Sequence, residues 1–370
     1  MPSLISSDAT LAAACERWSA GGVIGVDTEF VRERTYHPRP GLIQVADGAG
    51  VEMVDPLEIA DFEPLARLLA DPSVVKLMHA CGEDLEVFEL LTGVTPRRIF
   101  DTQLAGAFAG YGFSLGYSGL VEVLLDVVVE KGETRSDWLR RPLSPSQLHY
   151  AALDVLYLAP IHERLSGELA VLGRADWFEE ELGHRHRMRA ADRQLDAAHL
   201  RVRRREALPP AHHAVLRALS QWRETEAMAR DIPRRHLLTD EVLIALASSS
   251  TLDAASLTGV RGLPPRVGAH YGPVLLDQIA TARAQGPADA DTPVNLRPHA
   301  STMKRLKEIV RQEADARKLP PELLANRRGL EALLVGVLRD DGDVPEEFRG
   351  WRFDVVTNSL LECIHAANRA

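Results

Sequence analysis

Cysteine is scarce in this chain. Its 370 residues hold three, Cys15, Cys81 and Cys363, scattered and without a C-x-x-C pair. That excludes a disulfide framework and a cysteine-ligated zinc site, and it points to a reducing, cytoplasmic setting. Long apolar runs are missing as well: none approaches the roughly 18 residues that a membrane span needs. The stretch from Leu11 to Cys15 loosely resembles a lipoprotein cleavage site, but it lacks a basic flank, and Asp8 interrupts the only apolar candidate. It reads instead as the first turns of an amphipathic helix running to Trp18. Net positive charge is also lacking. At −10 the balance argues against a nucleic-acid partner, but its distribution argues back: residues 1–184 hold 14 Lys and Arg against 29 Asp and Glu, whereas residues 185–230 hold 11 against 5. An acidic first half that binds metal, followed by an arginine-rich segment, suits a phosphodiester substrate.

What the chain does have is length and core-forming residues. With 45% hydrophobic and 26% charged residues it is an ordinary globular composition spread over about two or three domains. An apolar run at residues 22–26 predicts a buried strand. Residues 41–46 and 51–55 predict two more, joined through Asp47-Gly-Ala-Gly50 as a hairpin, so the first three strands are expected to be sequential and antiparallel. Helix at 61–69 capped by Asp61, strand at 74–80 and helix at 83–91 follow, and that alternation implies crossovers onto a partly parallel sheet. Ser144-Pro-Ser-Gln147 reads as a capping box opening one long helix from Pro145 to about Leu169. From Arg201 onward the periodicity is helical. Glu226-Ala-Met-Ala-Arg-Asp-Ile-Pro233 recurs as Glu313-Ala-Asp-Ala-Arg-Lys-Leu-Pro320 at a separation of 87 residues, and leucines recur four and ten positions after each proline. Two copies of a small all-α module are therefore expected.

The chemistry-bearing pattern begins at Asp27 and Glu29. They sit two apart at the end of a core strand, so they share a face. Like charges placed side by side call for a cation between them, and a divalent metal is the natural one. Asp84, with Glu83 and Glu86 as competitors, lies in the first turn after a later strand, where strand ends gather in an open sheet. Asp154 lies on the long helix with Tyr150 four residues earlier on the same face. Each acid alone reads as an ordinary surface residue; four on three separate elements, plus the tyrosine, make a metal cradle.

With these residues in view the chain resembles the ribonuclease D family, in the DEDDy group of 3′–5′ exonucleases. The matching stretches are Val26-Asp-Thr-Glu-Phe-Val-Arg32, Thr35-Tyr-His-Pro38, Leu42-Ile-Gln-Val45, Glu83-Asp-Leu-Glu-Val-Phe88, Phe100-Asp-Thr-Gln103, Glu133-Thr-Arg-Ser-Asp-Trp138 and Tyr150-Ala-Ala-Leu-Asp154. The repeated module resembles the HRDC domain. The resemblance implies an α/β ribonuclease H-like exonuclease domain, a mixed sheet flanked by helices, over residues 1–185. A basic connector at 186–205, helical bundles at 206–286 and 295–370, and a linker at 287–294 complete the expected organisation. It implies Asp27, Glu29, Asp84 and Asp154 as ligands of two divalent cations, Mg²⁺ or Mn²⁺, and Tyr150 as the residue touching the attacking water. The implied substrate is RNA, in particular tRNA and other small stable RNA precursors with single-stranded 3′ ends, trimmed to nucleoside 5′-monophosphates. No membrane partner is expected, and a monomer is favoured. A DNA-directed exonuclease and a non-catalytic nucleic-acid scaffold are the alternative readings.

Substrate contacts are sought in Phe30 and Gln44, placed to flank the terminal nucleotide, and in Arg135, Trp138, Arg140 and Arg141, placed to hold phosphates or stack a base. Lys304, Arg305, Lys307 and Arg311 recur at helical spacing as a candidate RNA-facing stripe. The sister group of exonucleases uses a histidine five residues before the last aspartate, the spacing of His149. On a helix five residues lie about 140° round from Asp154 and four about 40°, which favours Tyr150. Activity assays on the two variants separate them: Tyr150→Phe is expected to lose activity and His149→Ala to keep it, and the reverse result overturns the assignment.

Overall fold

The chain opens with β1 (Ser3–Ile5), α1 (Asp8–Gly21) and β2 (Val23–Val31), continues through β3 (Arg39–Asp47), β4 (Gly50–Val54) and α2 (Glu63–Ala70), and then β5 (Val75–Met78), α3 (Gly82–Thr92), β6 (Ile99–Asp101), α4 (Thr102–Ala109) and α5 (Tyr117–Leu125). After these come α6 (Pro145–Leu156), α7 (Leu158–Val171) and α8 (Ala175–Asp192). The structure, a computed structural model, describes residues 3–130, 132–133, 136–249, 253–286, 294–339 and 342–369. The predicted linker at 287–294 therefore lies almost wholly outside the described residues.

The six strands form one mixed sheet in the order β1-β4-β3-β2-β5-β6. β2, β3 and β4 pair antiparallel as the hairpin signal predicts, and β5 and β6 add parallel to β2. β1, parallel to β4, was not anticipated; three residues are too few to show a period. β2 thus lies at the centre, with its apolar first half, Ile24 and Val26, fully buried. α2 starts at Glu63 after Phe62, and Asp61 instead accepts the Glu63 N–H from outside the helix.

The single helix predicted over residues 145–169 is two. α6 begins with the expected reciprocal cap, the Gln147 N–H donating to Ser144 Oγ and the Ser144 N–H to Gln147 Oε1. It stops before Tyr157, whose backbone (φ −100°, ψ 4°) leaves the helical ladder. Pro160 is one cause, since it has no N–H and its ring crowds the carbonyl four residues back. The other is a hydroxyl from α5: Tyr117 accepts the Tyr157 N–H at 3.0 Å and donates to the Leu153 carbonyl at 2.9 Å.

The chain divides into two compact units that do not follow chain order: residues 1–31, 38–184 and 296–370 form one, and residues 32–37 and 185–295 the other. The second unit contains α9 (His213–Ala229), α10 (Arg234–Leu237), α11 (Asp240–Ser248), α12 (Ala254–Leu257) and α13 (Pro265–Gln285) around Leu216, Leu219, Leu243, Leu246 and Leu275. Tyr36 packs with that core. Its hydroxyl donates to Glu224 at 2.8 Å, and the Tyr36 and His37 N–H groups donate to Asp231 Oδ1 at 3.0 and 2.9 Å.

In the first unit α14 (Ala300–Arg317), α15 (Pro321–Leu324), α16 (Arg327–Leu338) and α17 (Asn358–Asn368) share one continuous core with the sheet and its helices. Trp351 lies in that core, edge-on to Phe108 at 5.2 Å and stacked on Trp177 at 5.3 Å. The leucines that recur after each proline, Leu237, Leu243, Leu324 and Leu330, are all buried. Beside Trp351, Arg352 meets the buried Glu181 carboxylate at 2.6 Å and donates to the Leu323 and Leu324 carbonyls. Removing one member of a buried pair leaves the other charge uncompensated. Glu181→Ala is therefore expected to lower unfolding stability by about 3 kcal/mol in a denaturant titration, and Glu181→Ala combined with Arg352→Met by less than that.

Candidate metal centre

Alternation along β2 puts Gly25, Asp27 and Glu29 on one face of the sheet. α6 and α7 lie against that face. A Cβ on Gly25 would come within 3.1 Å of Leu158 Cδ1 and 3.3 Å of the Val155 carbonyl, so glycine is what lets the helix pair approach this closely. The approach brings Asp154, in the last turn of α6, over the strand. One carboxylate oxygen from each of Asp27, Glu29 and Asp154 then lies within 4.8 Å of the others. Tyr150 lies one turn back on the same helix face, near enough to Asp154 for each side chain to perturb the other's ionisation. Past Glu29 the β2–β3 register slips, with Phe30 opposite Pro40 and Gly41 left over. Gly41 is needed there, because a Cβ would sit 2.7 Å from the Trp138 carbonyl.

Asp84 arrives from the other side of the strand. The turn between β5 and α3 is pinned by Asp101, whose carboxylate accepts the Ala80 and Cys81 N–H groups at 3.2 and 3.1 Å. Asp84 itself is buried and accepts the Thr28 hydroxyl at 2.5 Å. It stands apart from the close trio, yet its charge is among those felt by Asp27 and Glu29.

All four acids are displaced the same way. Burial, then the charges of Asp84, Asp154 and Glu29, holds Asp27 well above the usual carboxylate range. Burial followed by Asp154 and Asp84 pushes Glu29 up to about 8. Burial raises Asp84 to about 7 against the opposing Thr28 hydrogen bond, and Asp154 to about 6 against that of Tyr150. Four carboxyls whose ionisation is opposed chiefly by burial, and at Asp27 and Glu29 also by their acidic neighbours, are suited to a bound cation. The donors are oxygen only, the set that hard divalent ions take, so the residues fit Mg²⁺, Mn²⁺ or a similar ion.

The other expected site residues are placed less uniformly. Among the acids near Asp84, Glu83 is exposed and Glu86 half-buried, which leaves Asp84 as the inward one. His149 is exposed, while Tyr150 is half-buried with its ring 6.3 Å from that of Trp138. Trp138 is only 2% exposed, packed with Leu42, Met53, Leu143 and Ala151, so it supports Tyr150 from below and presents no face to a base. Arg141 is spent internally: it pairs with the buried Asp55 at 2.5 Å and donates to the Gly41 and Trp138 carbonyls. Arg140 is exposed, and Phe30 is half-buried beside Glu29. Arg135 lies outside the described residues. Gln44 stands directly across the sheet from Asp27 but is fully buried, and neither amide atom has a hydrogen-bond partner among the described residues. It backs the acids and is not open to a nucleotide. On α14, Lys304, Arg305 and Lys307 are exposed, whereas Arg311 pairs with Glu308 and Asp315. Thr28 and Tyr117 carried no signal in the sequence, because each is defined by partners tens of residues away. Asp101 was readable as a helix cap, which it also is.

Residues 2–170 match the 3′–5′ exonuclease family, residues 212–279 the HRDC domain, and residues 299–360 the C-terminal HRDC domain of ribonuclease D. The chain is 39% identical over 367 residues to ribonuclease D of Pseudomonas paraeruginosa, covering 98% of this chain and 97% of that one. Against ribonuclease D of Escherichia coli it is 35% identical over 374 residues, covering 96% of each. The crystal structure of Escherichia coli RNase D, described as an exoribonuclease involved in structured RNA processing, superposes with a TM-score of 0.87 at 32% identity over 99% of both chains.

The raised carboxyls make stability depend on pH. An unfolded chain releases these protons near pH 4, whereas the metal-free native state retains them to about 6, 7 and 8 at Asp154, Asp84 and Glu29. Between those limits the native state binds more protons, so stability falls as pH rises. In EDTA the melting temperature is expected to drop from pH 5 to pH 8, and Mn²⁺ to raise it most at pH 8, where less proton release opposes binding. Asp27→Asn is expected to flatten both responses in the same scans; an unchanged Mn²⁺ response would contradict the site.

Proposed function

Because this chain belongs to the ribonuclease D family, we propose that its 3′–5′ exoribonuclease reaction runs in the cradle of Asp27, Glu29, Asp84 and Asp154. The enzyme acts on RNA, and its exonuclease fold implies dependence on divalent metal. The DNA-directed and non-catalytic readings are not favoured. The observation that carries the assignment of the site is the meeting of three carboxylate oxygens within 4.8 Å.

In this reading Asp27, Glu29, Asp84 and Asp154 together would hold two divalent cations, Mg²⁺ or Mn²⁺. Such ions when bound supply the Lewis acidity that lowers the pKa of an attacking water and offsets charge on the departing 3′ oxygen. The chain's own residues supply position. Tyr150 is held above the ordinary phenol range chiefly by burial and then by Asp154, Glu29 and Asp27. It stays neutral, which makes it a poor base, and its hydroxyl beside Asp154 is placed to orient the water by a hydrogen bond. Trp138, packed beneath, fixes the phenol ring. A single-stranded 3′ end enters over Phe30, and each turn releases a nucleoside 5′-monophosphate. The Escherichia coli relative's role in structured RNA processing supports tRNA and small stable RNA precursors as substrates, with the helical modules holding the body of the RNA. Three buried cysteines that form no disulfide accord with a cytoplasmic protein, here read as a monomer.

The test is an RNA oligomer labelled at its 5′ end, incubated with Mg²⁺ or Mn²⁺, with and without EDTA. A ladder of 3′-shortened products and free 5′-monophosphates is expected only with metal, reduced a hundredfold or more in Asp154→Asn. A terminal deoxyribose is expected to slow the first cleavage. No metal-dependent shortening, or release of 3′-phosphates, sinks the reading.

A further inference from the structure

Tyr117 lies at the start of α5 and has no part in the acidic motifs, yet its hydroxyl occupies a specific gap. In an unbroken helix the Tyr157 N–H would donate directly to the Leu153 carbonyl four residues back. Here the Tyr117 oxygen stands between those two groups, accepting from Tyr157 at 3.0 Å and donating to Leu153 at 2.9 Å. A side chain inserted into the ladder opens and bends a helix at that point. The residue after Leu153 is Asp154, so the opened turn is the one that carries the last carboxylate.

The phenol is itself held. The His79 ring meets it edge-on at 5.6 Å. The Thr102 hydroxyl donates to the Met78 carbonyl at 3.0 Å and so accepts from His79 Nδ1 at 2.9 Å, which fixes the imidazole plane. Burial first, and then the charges of Asp154 and Asp27, keep the Tyr117 hydroxyl above the usual phenol range, so it retains the proton that Leu153 accepts. A rigid support from the end of β5 and the start of α4 thus reaches the backbone on either side of Asp154.

We propose that Tyr117 is a positioning residue for the metal centre: by holding the Leu153–Tyr157 turn open, it sets where the Asp154 carboxylate meets those of Asp27 and Glu29. This rests on the metal reading above. Its distinguishing consequence comes from what replaces the hydroxyl. In Tyr117→Phe the two backbone groups can bond each other directly, so the fold loses little while Asp154 moves with the closing turn.

The experiment measures Mn²⁺ binding to the full chain without RNA, from the electron paramagnetic resonance of the free ion, alongside thermal unfolding. Tyr117→Phe is expected to melt within a few degrees of the parent while its Mn²⁺ dissociation constant rises about 10- to 100-fold, the range seen when a residue that orients a ligand is lost. Tyr111→Phe is the matched control. It removes a hydroxyl that donates to Glu168 on α7 at 3.0 Å, and it is expected to leave Mn²⁺ binding within twofold. Parent-like binding by Tyr117→Phe overturns the positioning role alone, as does equal weakening in Tyr111→Phe, which would signal general softening. A parent protein that binds no Mn²⁺ overturns the metal reading and this proposal with it.

Discussion

Crowding of carboxyls that are partly withdrawn from water is the constraint around which this molecule is arranged. Asp27, Glu29 and Asp154 present oxygens within 4.8 Å of one another, Asp84 adds its field, and no element of the fold would keep them together for their own sake. What holds them is packing elsewhere. β2 is the central strand of a six-stranded sheet, α6 is locked at its start by a reciprocal cap, and Gly25 allows the α6–α7 pair to settle directly on the strand. The apolar burial of Ile24, Val26 and Leu158 offsets the repulsion in the metal-free state, and a bound cation relieves it.

Support for the site comes in two layers from residues with no chemistry of their own. Trp138 backs Tyr150, and Arg141 ties the Trp138 loop to Asp55 and to Gly41 at the register slip beside Glu29. On the opposite side Asp101 pins the turn that delivers Asp84, and Thr28 takes up its carboxylate. Buried Gln44, whose amide atoms have no hydrogen-bond partner among the described residues, stands beside Asp27 as a polar group of the kind that persists where function requires it. The C-terminal helices belong to this same body through Trp351 and the Glu181–Arg352 pair, so their packing stabilises the nuclease core as well as the module itself.

Much of this was legible in the chain before folding. Short apolar runs bounded by a turn signal gave β2 to β4 and their hairpin order, an internal repeat gave the two helical modules, and the acids with Tyr150 stood out because each sits near the end of an apolar run or one helical turn from its partner. Some expectations failed for local reasons. Pro160 was a visible stop inside the helix predicted over 145–169, but the apolar period continued through it and masked the break. Trp138 and Arg141 read as RNA contacts because exposed arginines and aromatics often are; Leu42 helps bury Trp138 and Asp55 engages Arg141, both contacts from far earlier in the chain.

The sequence by itself determined which residues carry charge, which faces are apolar and that two homologous helical modules follow one α/β domain, since these follow from nearest-neighbour periodicity. Only the tertiary structure decided that Asp84 hangs on Thr28, that Tyr117 opens the turn beside Asp154, that residues 32–37 pack with the first helical module and that the last module shares the nuclease core. Each of those rests on a contact between residues far apart in the chain, and the energy of such a contact comes from burial and hydrogen-bond pairing that no local pattern encodes.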